Sequence, residues 1–180
     1  ANATITGTVK VGTAAPTMNT FNATLTAQAT TAGSTNKSFF DAADGLTYLY
    51  TTATTSDLAF MRHSTLKAGA KYSLRSPDDA SLVTIYSANS LTYSTSDKNT
   101  TKLEKKTGIV WADVTGDYLS TLTVATGSIV TDLVEGDFVA FKTEDGLVGI
   151  AKIGAQVDGS IYGLSTMVID VKVTATAVTK

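Results

Sequence analysis

The sequence predicts a mainly β protein, an antiparallel β-sandwich with one or two short helices. Three observations point there. Stretches of strict apolar/polar alternation recur along the chain, the signature of strands buried on one face. Thr supplies 33 of the 180 residues, and its β-branched side chain suits a pleated surface. Asp-Gly pairs fall between apolar runs, where a hairpin needs a residue tolerant of positive φ.

Taken in order, residues 3–11 alternate, with Ile5, Gly7, Val9 and Val11 on one face and Thr4, Thr6, Thr8 and Lys10 on the other. Residues 12–19, with Pro16, read as a connector, and residues 30–37 as a small polar loop. Between them Phe21, Ala23, Leu25, Ala27 and Ala29 mark a second strand. Ser38-Phe39-Phe40 precedes a turn at Asp44-Gly45, and residues 46–50 and 56–61 read as strands, the latter central. Ser76-Pro77-Asp78-Asp79 has the composition of a helix start: a capping hydroxyl, Pro at the first position and carboxylates at the positive end of the dipole. That predicts a short helix through about Tyr86, with a second helical turn within residues 111–122. Residues 138–142 and 147–153, joined through Asp145-Gly146, predict a hairpin, and Asp158-Gly159 another turn. Residues 167–178 alternate, with Ile169, Val171, Val173, Ala175 and Ala177 on one face.

The organisation expected is an N-terminal strand and connector over residues 1–20, a candidate donor arm, followed by a single sandwich domain over residues 21–180. The first and last strands are long and Thr-rich, which suits sheet edges able to accept a strand from another copy.

Composition narrows the function. The net charge of −2 and a charged fraction of 17% lack the basic surplus that phosphate neutralisation demands, so no nucleic-acid partner is expected. Without Cys the chain has neither disulfides nor thiolate chemistry. No apolar run reaches the length of a transmembrane helix. The small residues Ala1-Asn2-Ala3 fit a terminus left by signal-peptide cleavage. Asn-x-Ser/Thr tripeptides at Asn2, Asn22, Asn36 and Asn99 are near chance in so Thr-rich a chain.

No catalytic constellation emerges. His63, the only histidine, neighbours Ser64, but no nucleophile elbow accompanies them, and residues 62–65 read as a polar loop. Asp41, Asp44, Asp57, Asp78 and Asp79 carry oxygens that Ca²⁺ favours, yet their spacing does not match an EF-hand loop. Turn formation and helix capping account for several of them. No metal, cofactor or enzymatic activity is expected. Tyr48, Tyr50, Tyr72, Tyr86, Tyr93, Trp111 and Tyr118 could form a sugar-binding platform if a row of them were exposed on one face.

Several segments, taken together, carry a resemblance. They are residues 24–28 (TLTAQ), 38–40 (SFF), 44–48 (DGLTY), 57–60 (DLAF), 74–79 (LRSPDD), 99–103 (NTTKL), 135–143 (EGDFVAFKT) with Asp145-Gly146, and 169–173 (IDVKV). In this order they resemble a group of uncharacterised exported, often lipid-anchored, surface proteins of Bacteroidota, over roughly residues 21–175. The resemblance implies a secreted or cell-surface location and no catalytic residue. The chain departs from the lipoprotein pattern in having no N-terminal Cys.

The function expected is that of an extracellular structural protein, a subunit of a cell-surface or secreted assembly such as a fibre, in which edge strands pair with copies of itself. Ile5, Val9 and Val11 are the residues expected to insert into a neighbour. The alternative is a surface glycan-binding or adhesin module.

Overall fold

Alternation within single strands divides the chain between two sheets and three apolar clusters. In the computed structural model, which describes residues 16–51, 58–64, 71–159 and 165–178, ten strands are seen among the described residues. They are β1 (Met18–Thr26), β2 (Lys37–Asp41), β3 (Thr47–Leu49), β4 (Leu58–Ser64), β5 (Tyr72–Arg75), β6 (Lys102–Lys106), β7 (Ile129–Leu133), β8 (Phe138–Lys142), β9 (Val148–Val157) and β10 (Thr166–Thr174). Helix α1 (Ser81–Ser87) follows β5; a 3-10 turn (Trp111–Asp113) and helix α2 (Gly116–Thr121) follow β6. All pairings are antiparallel. One sheet has the order β1-β10-β9-β8-β6 and the other β3-β2-β4-β5-β7. The mainly β, antiparallel sandwich with two short helices is the architecture expected from the sequence.

Consecutive residues point to opposite faces of a strand, and this sorts the core. On β2, Phe40 enters the space between the sheets, against Phe60, Leu25, Phe141 and Val171. Its neighbour Phe39 faces outward, onto Leu82 and Tyr86 of α1 and onto Tyr93. On β8, Val139 and Phe141 point inward, while Ala140 points outward with Ile150 against Val114 and Leu119. Each sheet is therefore covered on its outer face by a helical layer. This explains why β9 reads as apolar over residues 148–151 and not as an alternating strand.

The hairpin closed by Asp145-Gly146 forms as expected: Gly146 takes φ +89° and donates its N–H to the Thr143 carbonyl. Elsewhere the structure corrects the sequence reading. Helix α1 begins at Ser81, not at Ser76-Pro77; its N-cap, Ala80, has no capping side chain, and Asp79 accepts from the Ser81 N–H at 3.0 Å. Residues 76–79 instead form a tight turn in which Asp79 N–H donates to the Ser76 carbonyl at 3.0 Å. The buried Ser76 hydroxyl donates to Asp78 and accepts from the Thr101 N–H at 2.8 Å, tying that turn to the approach to β6. His63 lies within β4, opposite Ser73, not in a loop. The first described strand begins at Met18, inside the stretch read as connector, and stops at Thr26. The last strand, β10, is no edge: it lies between β1 and β9. Strands β5 and β7 had no counterpart in the sequence reading.

Candidate functional site

Four strands end the two sheets among the described residues, and three of them are blunted. Strand β3 has only three residues, and its register with β2 is interrupted. Strand β7 slips register against β5 and holds Asp132 at φ +54°, where the Lys71 ammonium sits 3.1 Å from the carboxylate and keeps it below the usual carboxylate range. Strand β6 is charged at four of its five positions. Residues 125–127 also lie along it: Leu103 donates to the Gly127 carbonyl at 2.6 Å, and Ala125 donates to Glu104 at 2.7 Å. Short strands, bulges, charges and covering loops are the usual means of preventing edge-to-edge pairing.

Among the described residues, strand β1 shows none of these. Its nine residues, Met-Asn-Thr-Phe-Asn-Ala-Thr-Leu-Thr, include no charge and no Pro. They pair with β10 in unbroken register from Met18↔Thr174 to Thr26↔Thr166. Among the described residues no strand pairs with its other edge. Inward-facing Phe21, Ala23 and Leu25 root it in the core, with Phe21 edge-on to Phe40 at 6.3 Å. On the opposite face Thr20, Asn22 and Thr24 are exposed, and Asn22 donates to Asp170 at 2.7 Å across the ladder.

A second feature lies outside the β3-β2-β4-β5-β7 sheet. An open cleft of 490 Å³ is lined by Tyr50, Leu91, Tyr93, Asp97 and Lys98, with Ser and Thr hydroxyls between them. Tyr93 donates its hydroxyl to the Pro77 carbonyl at 2.7 Å, and burial raises its phenol well above the ordinary value. The Lys98 ammonium, 3.1 Å from Asp97, holds that carboxyl below the usual range.

Ile5, Val9 and Val11 lie outside the described residues, as does Asp57. The remaining aspartates singled out from the sequence each accept hydrogen bonds that hold turns or tie segments together. Asp41 accepts from the Ala43 N–H at 2.7 Å, and Asp44 accepts from the Leu46 N–H at 2.7 Å and from Tyr48 at 2.5 Å. Asp78 accepts from Thr100 at 2.7 Å, and Asp79 from the Ser81 N–H at 3.0 Å and Ser128 at 2.8 Å. No group of three or more potential metal-ligating side chains converges among the described residues. No helix there is long and apolar enough to cross a membrane. The aromatics do not form an exposed row: Tyr72, Tyr86 and Tyr93 are buried, and Tyr48, Tyr50, Trp111 and Tyr118 are half-buried. The cleft escaped sequence reading because residues 50–51 and 90–98 meet only in the folded chain.

No family model, curated protein or solved structure matches the chain.

Proposed function

We propose that the chain is an extracellular structural subunit that assembles with copies of itself by β-strand addition, β1 being the acceptor edge. The observation that carries this reading is the contrast among the edges: three are short, bulged or charged, and β1 is long, uncharged and regular. An added strand would complete the N–H and C=O groups on its free side and extend the sheet.

The donor proposed is the alternating segment at residues 3–11, nine residues long like β1. Insertion of Ile5, Val9 and Val11 beside a neighbour's β1 would contribute roughly 1.5–3 kcal/mol per side chain, in addition to the main-chain ladder. A secreted or cell-surface location rests on the resemblance to exported proteins of Bacteroidota and on the low charge. The low charge also removes electrostatic repulsion between like subunits.

The test is electron microscopy with size-exclusion chromatography of the full chain, of a variant lacking residues 1–12, and of Thr20→Lys/Thr24→Lys. The reading requires filaments from the full chain only, with both variants folded and monomeric. A monomeric full chain overturns it. Filaments formed without residues 1–12 overturn the donor assignment.

A further inference from the structure

We infer that the cleft between Tyr50 and the 90–98 loop binds one ring of a neutral saccharide. Two of its lining residues, Tyr50 and Tyr93, belong to a ladder of near-parallel rings. Tyr50 stacks on Tyr86 at 5.0 Å and 22°, Tyr86 on Tyr93 at 4.9 Å and 19°, and Tyr93 on Phe39 at 6.0 Å and 18°. Phe39 and Tyr86 are fully buried, so the ladder is rooted in the packing beneath α1, and the half-buried Tyr50 is its outer end. A ring fixed from one side offers a rigid surface to the C–H face of a pyranose at little entropic cost.

The polar lining suits hydroxyls. Asp97 and Lys98 place an acceptor beside a donor, as two adjacent sugar hydroxyls require. The Lys98 side chain is only 4% exposed, and its ammonium lies 5.7 Å from the centre of the Tyr93 ring, so the head group is held in place before any ligand arrives. Because the two charges pair, the lining presents no unbalanced charge to an ionic ligand. A cleft of 490 Å³ falls within the range of small-molecule sites.

The test is saturation-transfer NMR of the full chain at millimolar concentrations of neutral β-glucan, mannan and galactan oligosaccharides and of uronic-acid oligomers, followed by titration with any that respond. The expected result is a response to a neutral oligosaccharide, with shift changes confined to residues 50–51 and 90–98. Tyr50→Ala should weaken binding at least tenfold. Thr92→Trp, which puts a bulky side chain on the lining and leaves every ladder residue in place, should do the same while leaving the far-UV spectrum and melting temperature unchanged. Silence across the neutral panel, a response to uronic-acid oligomers alone, or binding unaffected by Thr92→Trp would each overturn the assignment.

Discussion

The Lys172 ammonium stands 4.7 Å from the centre of the Trp111 ring and donates to the Trp111 carbonyl at 2.8 Å and to that of Val114 at 3.0 Å. Those carbonyls belong to the 3-10 turn and its exit; that of Trp111 also accepts the Val114 N–H at 3.4 Å. A cation projecting from the outer face of β10 thus fastens the outer layer to the sheet. Lys172→Met keeps most of the apolar stem and removes the charge. It should destabilise the protein by about 2–3 kcal/mol, the worth of hydrogen bonds to a charged group. Because Trp111 is the only Trp, urea unfolding followed by its fluorescence reads the change directly, and native emission should shift to the red. An unchanged midpoint and spectrum would show that the ion adds nothing to the packing.

Gly149 and Gly154 share β9 but should respond unequally to Ala. A Cβ at Gly149 would run into the Phe141 ring and stand 2.8 Å from the Lys172 carbonyl, both part of closely packed neighbouring strands. Gly149→Ala should cost about 1–3 kcal/mol through overpacking. At Gly154 the nearest atoms, on Val168, lie at 3.3 Å, and relief of backbone entropy offsets the tight fit, so the change should stay within about 1 kcal/mol. Thermal melts of the two variants check the contrast.

Ser76 should matter to the sandwich and not to the helix that follows it. Its hydroxyl accepts from Thr101 at 2.8 Å and its N–H donates to the Ser128 carbonyl at 2.7 Å, linking the segments that lead into β6 and β7. Ser76→Ala leaves the buried Thr101 N–H without that acceptor, which should cost about 1–3 kcal/mol. Native helical circular dichroism should be unchanged. A selective loss of helix would restore the capping role that the sequence implied.

Alkaline stability should be governed by Tyr86 and Tyr93. Burial raises both phenols well above the ordinary value, since a phenolate there would be poorly solvated. An unfolded Tyr ionises near about 10. The folded chain therefore binds more protons than the unfolded chain above that pH. The stabilisation is fully present below the unfolded value and is lost as pH rises toward and through the raised native values. Absorbance at 295 nm, followed with far-UV circular dichroism, should show a fraction of the phenolate appearing only as structure is lost. Full ionisation of a still-folded chain would contradict the burial of these two rings.

What the sequence determined by itself was whatever depends on neighbours along the chain. The β8–β9 hairpin was legible because Asp145-Gly146 carries its own turn geometry, and β10 because one face alternates over successive residues. Strand β5 was not, since Tyr72, Ser73 and Leu74 are all buried and no alternation survives between two covered faces. Of the residues at 76–79 that resembled a helix cap, Asp79 does accept from the first helical N–H, but Asp78, Ser76 and Asp79 also bond Thr100, Thr101 and Ser128, partners more than twenty positions away that no local pattern announces. Which strands came to end each sheet among the described residues, and which tyrosines came to line one cleft, were decided only by tertiary structure. Register and strand order are set by the joint packing of both sheets, and a strand's alternation specifies a buried face without specifying the neighbour it will find there.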